Sequence, residues 1–337
     1  MTILVAPLNW GLGHASRCVP LIQRLLDEGN EVVLGGDGES LTLLRKHFPK
    51  LRYVYLAPLN IRYGKGKRQV WAILKALPQL IAWTIKDHAL LKAVLQEEHF
   101  DQIISDNRFG LYLSPNPQTS NPLTVYITHQ LHIILPKGWR WLEPLAARIH
   151  ARVYARFNKV WVPDYSDYQQ SLAGDLSHPQ ISNSKYQVTT IEYIGPLSRF
   201  TPNPLNANPL TQYDTVAVLS GLEPQRTMLE HELIARYSTS EERVLIVQGL
   251  MNRPNTRITR TNMTIVPYLS DTELAAVLKG AKHIIARSGY STIMDLNALG
   301  LRSSNPLNSN PLIELLPTPG QPEQEYLAKW MAQKALF

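Results

Sequence analysis

The first chemical feature of this chain is a histidine placed just after two closely spaced glycines. In Asn9-Trp10-Gly11-Leu12-Gly13-His14-Ala15-Ser16-Arg17, Gly11 and Gly13 permit a tight turn and close approach of a ligand to the backbone. His14 falls where a helix begins. The positive end of a helix disfavours imidazolium, which leaves a neutral base able to take a hydroxyl proton. The same residues also suit a plain strand-to-helix turn. They half-match a dinucleotide fingerprint as well, with Ser16 in the place of its third glycine and Asp37 about 20 residues on, where a ribose ligand would stand. Asp106 and His129 lie in other strand-end loops of the first half and are further candidates.

The second half carries a more specific run, Arg287-Ser288-Gly289-Tyr290-Ser291-Thr292-Ile293-Met294-Asp295. Arg287, Ser288 and Gly289 sit where a strand gives way to a helix, whose N-terminus attracts a diphosphate. Asp295 follows Ser288 by seven residues, two helical turns, so both project from one face about 10 Å apart. That spacing spans phosphates at the helix start and a ribose diol held by the carboxylate; an ordinary surface charge is the other reading of Asp295. Two more loops have the same character. Ser220 and Gly221 open one that leads to Arg226, a phosphate candidate. Pro317–Glu325 contains Gly320, Gln321, Gln324 and Glu325, polar groups suited to sugar hydroxyls. The chain has no Asp-x-Asp pair and no cysteine or histidine cluster with metal-ligand spacing. A bound diphosphate would therefore be neutralised by helix dipoles and arginine, and no metal or other cofactor is implied.

Loops of this kind need a scaffold of parallel strands and helices. Apolar runs such as Ile3–Ala6, Glu31–Leu34, Arg52–Leu56, Gln102–Ser105, Thr124–Ile127 and Lys159–Val162 read as strands. Helical patterns separate them, among them Ala15–Glu28, Glu39–His47 and Arg140–Arg156. Strands Thr215–Leu219, Arg243–Val247, Met263–Val266, His283–Ala286 and Ile313–Leu316 follow, again alternating with helices. Such alternation predicts an α/β fold of two doubly wound Rossmann-like domains facing across a cleft. The expected division is an N-terminal domain over 1–195, a linker over 196–213 and a C-terminal domain over 214–337.

Composition narrows the class. With 337 residues, 44% hydrophobic, the chain is long enough for two cores. A single cysteine, Cys18, excludes a disulfide framework and fits a reducing compartment. Residues 1–7 read as a strand, not a signal peptide, and no window is long and apolar enough to span a membrane, so a cytoplasmic location is expected. The net charge of +7 favours anionic partners. Much of the proline excess lies in three related segments, NPQTSNPLT, NPLNANPLT and NPLNSNPLI, each just ahead of an expected strand. They predict surface excursions on the sheet edge away from the ligand loops, one of them within the linker.

Taken together, Gly11–Arg17, Ser220–Arg226, Arg287–Asp295 and Pro317–Tyr326 resemble the nucleotide-sugar glycosyltransferases of the two-Rossmann-domain (GT-B) fold. Among these the similarity is to the UDP-N-acetylglucosamine transferases that complete lipid II and their relatives. The resemblance implies metal-independent sugar transfer, with inversion, from a nucleoside diphosphate donor. It further implies that Ser288 and Gly289 hold the diphosphate and Asp295 the ribose. Gln324 and Glu325 would face the sugar, the backbone of Tyr268 and Leu269 would frame the base, and His14 would stand near the acceptor hydroxyl. Two positions depart from the family pattern: Asp295 replaces a glutamate, and Glu325 replaces the second of two glutamines.

Basic and aromatic residues interleave between Arg62 and Lys92 and again over Pro136–Lys159, where Trp139 and Trp141 accompany Lys137, Arg140, Arg148, Arg152 and Arg156. Such helices suit an anionic membrane surface; a solvated face of a core helix is the alternative. No nucleic-acid motif accompanies the charge. On the family reading, the acceptor is a lipid-linked sugar or cell-envelope precursor and the protein sits at the inner membrane face. A nucleotide-sugar hydrolase or 2-epimerase, a nicotinamide dehydrogenase and a non-catalytic sugar-nucleotide binding protein remain as other readings.

Overall fold

The computed structural model describes residues 1–59, 69–113, 121–179, 190–200, 208–210, 212–221, 223–251, 253–301 and 311–334. They form two compact units, one drawn from the chain up to Leu197 and one chiefly from Ser198 onward.

The first unit is built on seven strands: β1 (Thr2–Pro7), β2 (Glu31–Gly36), β3 (Tyr53–Tyr55), β4 (Gln102–Asp106), β5 (Leu123–Ile127), β6 (Lys159–Val162) and β7 (Thr190–Tyr193). Their order is β3-β2-β1-β4-β5-β6-β7 and every pairing is parallel. Helices α1 (Gly13–Asp27), α2 (Gly38–His47), α3 (Gln69–Glu97) and α4 (Glu143–Tyr154) accompany them. A parallel sheet covered on both faces needs strands that are apolar throughout. The two central strands comply: Ile3–Ala6 and Ile103–Ile104 are wholly buried. Leu4, Ala6, Val33 and Ile103 share one core with Leu91 of α3 and with Phe100.

The second unit has strands β8 (Thr215–Val218), β9 (Val244–Val247), β10 (Ile258–Arg260), β11 (Met263–Val266), β12 (His283–Arg287) and β13 (Leu312–Leu316). Their order is β10-β11-β9-β8-β12-β13, with β10 antiparallel to β11 and the remaining pairs parallel. Helices α5 (Gln225–Tyr237), α6 (Asp271–Gly280), α7 (Tyr290–Ala298) and α8 (Pro322–Gln333) complete it. Side chains alternate across the sheet, as the two-residue period of a strand requires. Val216, Leu245 and Ile284 pack with Leu274 and Leu278 of α6 and Leu296 of α7. Their neighbours Ala217, Ile246 and Ile285 pack with Leu229 and Leu233 of α5.

The α/β alternation read from the sequence therefore stands, with two added strands and one correction. Helix α3 lies in the basic, aromatic stretch read as helical between Arg62 and Lys92 and continues to Glu97: Trp83 and Leu91 are buried on its core side, Leu77, Ile81 and Ile85 are exposed, and Pro78 lies inside it. Strands β7 and β10 are short and sit at sheet edges, and their residues, half-exposed in β7 and exposed in β10, leave a weak pattern. The expected single helix Arg140–Arg156 is instead a 3-10 segment, Lys137–Leu142, followed by α4. Pro144 fits the first turn of a helix but not its interior, which explains the break. Residues 62–68 and most of each Asn-Pro segment lie outside the described residues, and with them the expectations placed there. Among the described residues, no helix is long and apolar enough to cross a membrane.

Candidate active site

In open parallel sheets, ligands gather at the carboxyl ends of the strands where the strand order reverses. In the first unit that point lies between β1 and β4, which pair in register with Pro7 opposite Asp106. Gly11, at φ +80°, turns the chain from β1 toward α1 in a conformation that a side chain would strain. Gly13 is the first residue of α1 and His14 the second. Nδ1 of His14 lies 2.7 Å from Oδ1 of Asp106, the last residue of β4.

Asp106 is fully buried. Burial by itself would raise its pKa; the charges and hydrogen bonds of Arg17 and His14 overcome this and hold the carboxyl well below the usual carboxylate range. An ionised carboxylate only accepts, so Nδ1 of His14 carries the hydrogen of this contact. Among the described residues, no hydrogen bond engages Nε2. The pair has the form of a histidine base oriented by a carboxylate.

Arg17 follows His14 by one turn on the same face of α1. Its Nε donates to Asp106 Oδ2 at 2.5 Å and its Nη2 to Oδ1. Nη1 donates to Nδ1 of the buried His129 at 3.3 Å, and Nη2 lies 3.1 Å from Nδ1 of His14. The structure thus brings together His14, Asp106 and His129, which the sequence offered only as separate candidates. Arg17 joins them without having been singled out by residue type; its i+3 spacing from His14 was the available signal.

Asp37, at the N-cap of α2, belongs to a separate network. It accepts from Arg108 Nη1 at 2.8 Å and from Asn9 Nδ2 at 3.0 Å. Arg108 is wholly buried and also grips Asp87 of α3 and the carbonyl of Ala57. Asp37 thus helps hold the ends of β1, β2 and β4 together.

In the second unit the strand order reverses between β8 and β12, which pair with Val218 opposite Ala286. Gly221, at φ +96°, follows β8 with Ser220, and Gly289 caps α7 after Arg287 and Ser288. Arg287 is buried and links three loops. Nη1 donates to the carbonyl of Pro317 at 3.1 Å and Nη2 to that of Gln225 at 3.2 Å, while burial lowers its pKa. Ser288 Oγ donates to the carbonyl of Gln324 at 2.8 Å, and the Gln324 side chain accepts from Thr318 N at 2.8 Å. Gln321 is the N-cap of α8, which begins just after Gly320, and Glu325 is exposed on its first turn.

Asp295 is buried on α7. It accepts from Ser198 Oγ at 2.7 Å and Arg199 Nε at 3.2 Å. Burial raises its pKa, and Arg199 and Ser198 oppose that rise. Ser198 and Arg199 fall in the stretch read as linker, so no pattern connected them to a helix about a hundred residues away. Arg226 is also buried, and its guanidinium is engaged by Glu223 and Glu230. Tyr268 and Leu269 follow β11, with Leu269 packed against the core.

The comparisons agree with this architecture. No protein-family model matches the sequence. The chain is 24% identical over 311 residues to an uncharacterized glycosyltransferase of Methanosarcina acetivorans, covering 89% of this chain and 78% of that one. Among solved structures it is similar to a spinosyn rhamnosyltransferase complexed with thymidine diphosphate, with a TM-score of 0.53, 13% identity and coverage of 99% and 91%. It is also similar to an Arabidopsis thaliana protein complexed with UDP-L-rhamnose, with a TM-score of 0.52, 14% identity and coverage of 98% and 89%. The fold is that of the GT-B glycosyltransferases, with two parallel-sheet α/β domains. The relatives and structural neighbours of this chain are glycosyltransferases.

Proposed function

We propose that this protein is an inverting, metal-independent glycosyltransferase that moves N-acetylglucosamine or a similar sugar from a UDP-linked donor to an acceptor hydroxyl. The observation that carries the reading is the His14–Asp106 pair at the strand-order reversal of the first unit. In the transfer, the acceptor oxygen bonds to the anomeric carbon from the face opposite the diphosphate. The bond from that carbon to the phosphate oxygen breaks, and the acceptor proton passes to Nε2 of His14. Asp106 stabilises the imidazolium that forms.

The second unit supplies the donor side. Ser220, Gly221, Ser288 and Gly289 flank the reversal of its sheet, and the N-terminus of α7 offers its positive dipole end and backbone amides to the diphosphate. Negative charge builds on the diphosphate as it leaves, and preorganised donors stabilise it there. Asp295, anchored by Ser198 and Arg199, holds the ribose. The backbone of Tyr268 and Leu269 frames the base, and Gln321, Gln324 and Glu325 lie on the loop that meets the sugar. The structural neighbours solved with UDP-L-rhamnose and thymidine diphosphate support a nucleoside diphosphate in this fold.

The acceptor is lipid-linked, and the protein works at the inner face of a membrane. Trp141, Leu145 and Ile149 support this: they recur every four residues and are all exposed, Trp141 by 75%. Exposed Arg140, Arg148 and Arg152 surround them, the pattern of an amphipathic anionic-lipid surface.

Incubation with UDP-N-acetylglucosamine and a membrane-lipid extract tests the whole reading. UDP should appear only with acceptor, EDTA should not slow its release, and the product should carry the anomeric configuration opposite to the donor. Release of free sugar without acceptor would assign the same site to a hydrolase. Turnover of no uridine or thymidine diphosphate sugar would end the proposal.

A further inference from the structure

A buried carboxylate needs a counter-charge, and beside a histidine it draws a proton onto the imidazole. A histidine that has already taken its proton is spent as a base. At Asp106 the arrangement is different. Arg17 is almost wholly buried and spans both carboxylate oxygens, Nε to Oδ2 and Nη2 to Oδ1. This two-point geometry is the strongest that guanidinium and carboxylate can adopt. The charge of Asp106 is thus met before His14 is counted.

We propose that Arg17 is a positioning residue whose guanidinium, by carrying the counter-charge of Asp106, keeps His14 neutral and its Nε2 ready to accept the acceptor proton. The proposal rests on the assignment of His14 as base and extends it to a residue with no direct part in the chemistry. Arg17 acts in two ways. Its fork fixes Asp106 so that Oδ1 faces Nδ1 of His14, which sets the tautomer. Its charge, 3.1 Å from the same Nδ1, disfavours a second proton on the ring.

The other groups around this centre leave that task to Arg17. On α1, Cys18 stands 3.7 Å from Asp106 Oδ2 through its Sγ, and burial pushes its thiol up, so it stays neutral. On β5, burial likewise pushes the Tyr126 hydroxyl up. His129, beyond β5, accepts through Nδ1 from Arg17 Nη1 and so needs no charge to make that contact. Among the described residues, Arg17 is the permanent cation hydrogen-bonded to the pair.

Three variants separate charge from shape. Arg17→Gln keeps hydrogen bonds to Asp106 without the charge, Arg17→Met removes both, and Arg17→Lys keeps the charge without the fork. Each is first checked for folding by thermal melting. His14 is then titrated by NMR in the full-length protein, without substrate, and kcat/KM is followed against pH. In Arg17→Gln and Arg17→Met, His14 should hold its proton to a pH higher by about one unit or more, since an opposite charge within 4–6 Å shifts a pKa by about 1–3 units. The acid limb of kcat/KM should move up by the same amount. Arg17→Lys should lower kcat while leaving the limb near its wild-type position.

A folded Arg17→Gln variant with an unmoved His14 titration would overturn the proposal. A uniform loss of kcat at all pH values, without displacement of the limb, would do so as well, since it would make Arg17 merely structural. If the titration moves but His14→Ala keeps full turnover, the charge assignment stands and the base assignment falls.

Discussion

Nδ1 of His14 and Oδ1 of Asp106 lie 2.7 Å apart and join the first turn of α1 to the last residue of β4. The contact fixes one imidazole nitrogen as donor and, in the proposed mechanism, leaves the other for the acceptor proton.

Loss of His14 should therefore cost rate more than stability, whereas loss of Asp106 also strips buried Arg17 of its counter-charge and should cost stability as well. His14→Ala should lower kcat by about 10²–10⁴-fold, the usual worth of a positioned general base. Asp106→Asn should also lower kcat substantially, because an amide can offer an N–H to Nδ1 and favour the opposite tautomer. Steady-state assays of UDP release, with thermal melts as the folding control, check both. Full turnover in His14→Ala would remove it from the mechanism.

Asp295 should show itself in donor binding. A hydrogen bond to a charged group contributes about 1.5–3 kcal/mol, so Asp295→Ala should raise the KM for the nucleotide sugar by about tenfold or more and change kcat less. In calorimetry, wild type should bind UDP better than its 2′,3′-dideoxy analogue, and the variant should lose that preference. Equal discrimination by both proteins would detach Asp295 from the ribose.

His150 makes stability depend on pH. It is buried on α4 between the rings of Tyr126 and Tyr154, and burial pushes its pKa down to about 4. The unfolded chain takes up the proton near pH 6.5 and the folded chain only near 4, so stability is intact above about pH 6.5 and falls as pH drops toward 4. The loss should approach about 3 kcal/mol. Urea unfolding across that range should show the decline, and His150→Leu should flatten it.

Ser270 tests the scaffold apart from the chemistry. It caps α6 through a reciprocal pair with Glu273, accepting from Glu273 N while Glu273 accepts from Ser270 N. Ser270→Ala should destabilise by about 1 kcal/mol, seen in chemical denaturation, and leave turnover unchanged. A large loss of turnover would mean that α6 does more than support the sheet.

What could be read along the chain was whatever has a local signature. The apolar runs of β1, β4, β8 and β12 and the glycines at 11, 13, 221 and 289 belong to segments a few residues long, and their side-chain period and backbone freedom are properties of those segments. Strands β7 and β10 escaped for the same reason, since they are short edge strands whose pairing is set by what packs nearby and not by their own pattern.

The sequence by itself determined two runs of alternating strands and helices and the loops from which chemistry would come. Only the tertiary structure decided which polar groups in those loops meet. His14 and Asp106 are 92 residues apart in sequence, and it is the parallel register of β1 with β4 that sets them side by side. The same packing gave Asp37 to Arg108, Asp295 to Ser198 and Arg199, and Asp106 to Arg17. Charge compensation is a property of positions in space, so the sequence could name the carboxylates but not their partners.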